Sequence, residues 1–338
     1  MAVLGRATAR HCLLVGIALV ACLGWLQAQA QLDALGPYVA PILYGGMGNV
    51  LFQLAALLAL AKTEQAPCVV GFYKHWNRAY HTFAPWGGHT PPAPGATLKD
   101  VFPQLLWVTF EPVVPNRRVF NRNAFRTELP DEFHPLPGKA LYPSYIHGYF
   151  FNHRFWHHER AYILKMFEWH PALQQHGYRL YGDLLDPLLA SAAGTRWKIP
   201  VSLHLRYGYS GEPAQNLLED RRMPTLGFYQ RVFEEMFDAR EVRYLVFSDN
   251  PAKARSFMAE QATLYNFEWL LVDENVLVSL YIMSQCQHHV LTSSTLSFWG
   301  AYLDPRQPHG GKTVLHGSFF KDHGRAMVPA EYDWIVLE

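Results

Sequence analysis

Residues 41–62, PILYGGMGNVLFQLAALLALAK, change character twice. Pro41-Ile42-Leu43-Tyr44 is a short apolar run of strand length. It breaks at Gly45-Gly46-Met47-Gly48-Asn49, and Val50 to Lys62 is rich in Leu and Ala, which favour helix. Cys68 to Tyr73 (CVVGFY) returns to strand character, so strand, Gly-rich turn, helix and strand make one βαβ unit. A longer series of the same kind follows residue 195. Strands are expected at 200–205, 243–247, 269–272, 289–292 and 313–315. Helices are expected between them at 225–239, 251–260, 276–284 and from Ser293-Ser294-Thr295 through Leu303. Alternating strands and helices build parallel α/β layers. Two series split near Thr195 predict two Rossmann-like domains, residues 38–195 and 196–338, facing a cleft.

Between the two series the pattern is less regular. Thr82 to Pro137 is rich in Pro and aromatics and reads as long loops and short strands, part of an acceptor surface. His147 to Pro171 reads as helical after Tyr149-Phe150, and Leu180 to Ala193 as an amphipathic helix ended by Gly194.

The chain has 338 residues, a formal net charge of +1, 50% hydrophobic and 17% charged residues. This is ample for a core, and the low charge argues against disorder. No Lys/Arg run reaches nucleic-acid-binding length, so nucleic acid is excluded as a partner and any anion must be caught by a few placed groups. At the amino terminus Arg6 and Arg10 precede an apolar run from Leu13 to Leu26, with Ala28-x-Ala30 beyond it. Residues 1–31 are therefore either a cleaved signal peptide or a short type II anchor that engages the membrane. Either one sends the rest of the chain into the secretory lumen. Outside this leader two cysteines remain, Cys68 and Cys286. An oxidising lumen permits a bridge between them, and two buried thiols are the alternative.

In parallel α/β sheets ligands bind beyond the carboxyl ends of strands. Four clusters fall at such ends. Gly45, Gly46 and Gly48 would let backbone N–H groups approach a ligand ahead of a helix, or simply turn the chain. The loop lacks the Gly-Lys-Ser/Thr of a P-loop. His204 and Arg206 end PVSLHLR and point to one side of a strand. Arg grips a diphosphate bidentately, and salt bridging is the competing use. Asp249, in Phe247-Ser248-Asp249-Asn250, either caps the next helix or accepts hydrogen bonds from guanine. Ser293, Ser294 and Thr295 offer hydroxyls and amides to a phosphate, where a plain cap would need one of them. His153, His157 and His158 have helical spacing, and no third metal ligand sits at a recognisable distance.

Four blocks in order, GGMGNVLFQLAALLALA, HGYFFNHRFW, VSLHLRYGY with VFSDN, and CQHHVLTSSTLSFWGAYL, resemble the α-1,2-fucosyltransferases (galactoside 2-alpha-L-fucosyltransferases, glycosyltransferase family 11). The resemblance runs from about residue 41 to 338, including the Pro329 to Trp334 ending. It implies a GT-B-like fold and GDP-fucose as donor substrate, with no metal or other cofactor. It further implies inversion at the anomeric carbon, a β-galactoside glycan acceptor joined through its 2-hydroxyl, and residence in the Golgi lumen or membrane. The absence of any Asp-x-Asp, the usual metal–diphosphate clamp, accords with metal independence. Carried over by position, Arg206 binds the diphosphate and His204 shapes that pocket. Ser293, Ser294 and Thr295 add donors, Asp249 reads the base, and the Gly45–Asn49 loop sits by the sugar, with Asn49 among the catalytic residues.

This sequence departs from the pattern at several places. Val50 stands for a loop Gln, Tyr207 for a second Arg, Tyr209 for an Asp and Ser210 for a Tyr. Asn250 replaces a second Asp, and Thr292 replaces the Asn before the serines. The most polar motif thus loses a cation and a carboxylate. Glu212, Glu219 and Asp220, in the next loop, are substitutes by position. The intact Arg206, Asp249 and Ser293-Ser294-Thr295 support an active transferase. The losses support a protein of the same fold that binds nucleotide or glycan without transfer.

Overall fold

The computed structural model describes residues 39–41, 43, 45–68, 70–71, 102–105, 107–108, 124–127, 133, 144–207, 224–320 and 324–338. The leader, most of the Pro- and aromatic-rich stretch, and Gly208, Tyr209, Ser210, Glu212, Glu219 and Asp220 lie outside them.

The carboxyl-terminal series forms a six-stranded sheet of β6 (Ile199–Leu205), β7 (Val242–Ser248), β8 (Glu268–Leu271), β9 (His288–Leu291), β10 (Thr313–His316) and β11 (Ile335–Leu337). Every pairing is parallel, in the order β8-β7-β6-β9-β10-β11. The chain starts in the centre at β6, winds outward to β8, then returns to β9 on the other side of β6. That is the doubly wound order 3-2-1-4-5-6, with its switch point between β6 and β9. Val201, Leu203, Leu205, Val246 and Val290 face one core together with residues of α5 (Leu226–Arg231) and α6 (Pro251–Tyr265). Leu245, Phe247, Leu291 and Leu315 face the other, against α7 (Val276–Gln285) and α8 (Thr295–Tyr302). Burial on both faces explains why these strands read as continuous apolar runs.

In the amino-terminal series β1 (Val39–Pro41), β5 (Ser144–Gly148) and β4 (Ala124–Thr127) form a parallel sheet in the order β1-β5-β4. β2 (Val70–Gly71) pairs with β3 (Trp107–Val108). Among the described residues the ladder neighbour of β1 is β5. Helix α1 (Met47–Glu64) is buried from Met47 through Ala61 except at Asn49, so it is apolar nearly all round because neighbours surround it. Phe52 lies 5.3 Å from Phe151, 5.5 Å from Trp156, 5.0 Å from Phe298 and 4.9 Å from Trp299 between ring centres. One apolar cluster thus includes side chains from both halves of the chain.

Several expected elements are corrected. The helix expected over 180–193 is two helices, α3 (Pro171–Leu185) and α4 (Pro187–Ala192). Pro187 cannot continue the first, and Asp186 caps the second by accepting from Leu188 N at 2.8 Å. The segment expected to be helical after Phe150 is two 3₁₀ turns, His153–Phe155 and His157–Glu159, before the short α2 (Arg160–Met166). The turns are interrupted at Trp156, whose φ of −144° is not helical. The expected helix over 225–239 passes from α5 into a π-helical turn, Val232–Met236, and Lys312 Nζ donates to the Met236 carbonyl at 3.1 Å. Cys68 and Cys286 are separate free thiols.

A β-carbon at Gly48 would lie 2.4 Å from the Thr295 carbonyl carbon and 2.5 Å from Leu296 N, whereas one at Gly46 would meet nothing within 4 Å. Gly48→Ala is expected to destabilise the protein by about 1–3 kcal/mol through overpacking at rigid backbone. Gly46→Ala should change stability little. Chemical denaturation of both variants tests this, and equal stability for the two would remove the packing role assigned to Gly48.

Candidate active site at the sheet switch point

Strand register assembles the site. Leu205 pairs with Ser248 across β6 and β7, and Leu203 pairs with Val290 across β6 and β9. Carried on by one residue, the β6–β7 ladder brings Arg206 level with Asp249 just beyond the carboxyl ends of these strands, and β9, which ends at Leu291, leads through Thr292 to Ser293 at the same edge of the sheet. Adjacent strands are about 4.8 Å apart, so Arg206 has a carboxylate beside it on the neighbouring strand end. Arg206 Nη1 meets Asp249 Oδ2 at 2.7 Å, and Tyr207 N donates to Asp249 Oδ1 at 2.8 Å. Both carboxylate oxygens therefore engage the β6 end. Ser248 Oγ donates to the Leu205 carbonyl at 2.8 Å and fixes the same corner.

The helix-capping reading of Asp249 is corrected. Asn250 is the cap of α6, its Oδ1 accepting from Lys253 N at 3.1 Å. Asp249 is thereby left to the guanidinium. The Ser-Ser-Thr run also departs from ordinary capping. Ser294 occupies the cap position of α8 without a side-chain cap bond, while Ser297 Oγ donates to the Ser294 carbonyl at 2.8 Å.

Two motifs remote in sequence meet here. Thr295 Oγ1 donates to Asn49 Oδ1 at 2.8 Å, so the first turn of α1 and the first turn of α8 are joined side chain to side chain. Gly45 has φ +86°, a conformation glycine adopts without strain, and a β-carbon there would lie 2.6 Å from Asn49 Nδ2. Of the three loop glycines, Gly48 serves helix contact, Gly45 serves the turn, and Gly46 is exposed at the cap of α1.

His204 lies beneath this edge, 2% exposed. Burial pushes its imidazole down to about 3, with the Arg206 charge adding to the effect, so the ring is neutral at physiological pH. Deeper still is a chain of polar contacts that shares with a hydrolytic triad only its composition. Ser202 Oγ lies 2.8 Å from His289 Nδ1, and His289 Nε2 lies 3.2 Å from Asp304 Oδ2. Arg306 Nε donates to Asp304 Oδ1 at 2.7 Å, and its Nη2 reaches the Gln285 carbonyl at the end of α7. All three of Ser202, His289 and Asp304 are buried, so the chain ties β6, β9, α7 and α8 together and offers no nucleophile to a substrate.

The histidines with helical spacing are used structurally. His153 Nδ1 bonds the Ala326 carbonyl at 2.8 Å, and His157 contacts Tyr302 Oη at 2.9 Å and the Glu331 carboxylate. Among the described residues no three His, Cys, Asp or Glu side chains cluster as a metal site. Sequence reasoning misses Lys253 and His316 on this edge. His316 ends β10, one residue past the expected strand, and lies 2.6 Å from Ser318 Oγ. Extending that strand by one position finds it.

A parallel sheet with a switch point carrying an arginine, a carboxylate and a Ser/Thr-lined helix start is the arrangement of a nucleotide-binding α/β protein. Residues 146–315, half of the chain, match glycosyl transferase family 11, and the chain belongs to that family. Galactoside alpha-(1,2)-fucosyltransferase 1 of Oryctolagus cuniculus is 26% identical over 280 residues, 81% of this chain and 65% of that protein. Galactoside alpha-(1,2)-fucosyltransferase 2 of Sus scrofa is 24% identical over 285 residues, 81% of this chain and 71% of that protein. The chain thus spans about two thirds of the length of the curated relatives it matches. Among solved structures, the fucosyltransferase NodZ from Bradyrhizobium has a TM-score of 0.48 at 11% identity, over 78% of this chain and 91% of that one. A point mutant of Arabidopsis thaliana FUT1 in complex with GDP has a TM-score of 0.47 at 14% identity, over 86% of this chain and 74% of that one.

The buried histidines set an acid limit. The buried His204, held down to about 3, and the half-buried His288, held down to about 4, stay neutral in the fold and take up protons on unfolding below their ordinary 6.5, and burial lowers His289 in the same direction. The stability they contribute is whole above about pH 6.5 and is lost as pH falls from there, by up to about 1.4 kcal/mol per pH unit for each. Urea midpoints measured from about pH 8 to about pH 5 should fall toward acid. A flat or rising profile would contradict the neutral, buried state.

Proposed function

We propose that this chain transfers L-fucose from GDP-fucose to the 2-hydroxyl of a β-galactoside on a glycan, with inversion and without a metal ion. Arg206, held by Asp249 at the sheet switch point, carries the reading: an anion-gripping group stands where α/β folds bind nucleotides. Family membership and the names of the relatives supply the sugar and the linkage. In this reading the sheet of residues 196–338 binds the donor, and residues 38–195 form the acceptor side of a GT-B-like cleft in the secretory lumen.

The chemistry follows from charge. As the glycosidic bond to fucose breaks, negative charge gathers on the GDP diphosphate. Arg206 and the hydroxyl and amide donors of Ser293, Ser294 and Thr295 stabilise it. Asp249 accepts from both Arg206 and the Tyr207 amide, so its part is to aim the guanidinium rather than to recognise guanine. It thereby supplies a carboxylate to a motif that carries Tyr209 where an Asp is typical. His204, neutral and buried, shapes the floor beneath Arg206 and is not the base. Asn49, tied to Thr295, brings the glycine loop to the sugar end of the donor.

Tyr207 and Tyr209 favour a second reading, a protein that binds GDP-sugar or glycan without transfer. A transfer assay with GDP-fucose and β-galactoside acceptors, alongside direct GDP binding, separates the two. The first reading expects an α-1,2-linked product, and Arg206→Ala should lower kcat by roughly 10²–10³ while the protein stays folded. GDP binding without turnover would select the second reading. Unchanged turnover in Arg206→Ala would overturn the diphosphate assignment.

A further inference from the structure

Resting on the GDP-sugar reading, we propose that Lys253 is a further donor-binding residue, a second cation that meets the diphosphate alongside Arg206. The need for one follows from the pair already described. Arg206 stands 2.7 Å from Asp249, and the two side chains together carry no net charge. The diphosphate of a GDP-sugar brings two negative charges, and free GDP more, that a single compensated guanidinium does not balance. Asp249 fixes the geometry of Arg206 and at the same time consumes its charge.

Lys253 is placed to make up the difference. It lies on the first turn of α6, three residues after Asn250 caps that helix, so it rises from the same sheet edge as Asp249. Its Nζ sits 5.6 Å from the centre of the Tyr207 ring, within cation–π reach. Tyr207 directly follows Arg206 and is 4% exposed, so the ring is a fixed platform at the end of β6. The position where the family pattern has a second Arg thus carries an aromatic ring, and a lysine ammonium from the neighbouring strand's helix rests over it. The cation missing from the β6 motif is restored from α6. Lys is suited to this: its ammonium is a point charge on a flexible stem and can swing from the ring to a phosphate oxygen.

The experiment compares affinities of the full chain for GDP, GMP and guanosine in wild type, Lys253→Met and Lys253→Arg, with thermal unfolding to check the fold. Lys253→Met is expected to weaken GDP about tenfold or more, the scale of a hydrogen bond to a charged group. Guanosine should bind as before and GMP should fall between. Lys253→Arg should recover most of the GDP affinity, and added salt should weaken GDP binding more steeply in wild type than in Lys253→Met. Unchanged GDP affinity in Lys253→Met, or an equal loss for GDP and guanosine, would overturn the proposal while leaving the GDP-sugar reading intact. Failure of the wild type to bind GDP at all would instead remove the reading on which it rests.

Discussion

Asp249 faces Arg206 because Ser248 pairs with Leu205 one residue earlier, and Ser293 reaches the same sheet edge because β9, two residues before it, runs parallel to β6 in a fixed register. The slip of one residue in either ladder would turn every side chain of that strand to the opposite face. It would separate the guanidinium from its carboxylate and drive Leu203 or Val246, both fully buried, into the opposite apolar core. The same alternation that closes the two apolar faces therefore positions the polar row at the edge. Core and site are set by one constraint, and neither can shift without the other.

That coupling extends inward. The His289 ring bridges Ser202 on β6 and Asp304 beyond α8, and Arg306 carries the link to the end of α7. The Arg306–Asp304 ion pair within it adds little net stability, because desolvation of the buried carboxylate offsets most of the attraction. Its consequence is positional: α8 cannot slide along the sheet without leaving Asp304 or His289 buried and unpaired. The start of α8, where Ser293, Ser294 and Thr295 lie, is thereby anchored from its far end. His204 works in the same way from β6, a neutral ring filling the space under Arg206.

The strand ends are legible in the sequence because fully buried parallel strands announce themselves as apolar runs, and the polar residues that terminate them stand out. Arg206, Asp249 and Ser293 stand out in that way, and the resemblance to the family rests on the same blocks. Their pairing is not legible, since Asp249 and Asn250 are equally plausible caps until the backbone of α6 shows which one the Lys253 amide meets. Gly48 reads from sequence as a ligand-approach glycine, whereas its contact is with the Thr295 backbone. A single residue carries no mark of the helix that will cross it from the far end of the chain. The break at Pro187 is written in the sequence, but amphipathic periodicity runs across it and hides it. The π turn at Val232–Met236 and the three-residue β11 depend on tertiary neighbours and have no local signature.

The contact between α1 and α8 bears on how the two halves of the chain work together. Thr295 contributes its hydroxyl to Asn49, and Gly48 lets the two helix starts approach until backbone meets backbone. In this geometry the glycine loop and the Ser-Ser-Thr run meet at one surface, so on the proposed reading a donor at the start of α8 is also adjacent to the first turn of α1. Phe52, four residues along from Gly48, packs on Phe298 and Trp299 and carries the contact down the helices. An inserted side chain at Gly48 would part the two turns by the width of a methyl group and break the Thr295–Asn49 bond without touching Arg206. On the proposed reading, grip on the diphosphate and placement of the sugar are thus separable properties, the first resting on strand register and the second on a close approach between helices that only glycine permits.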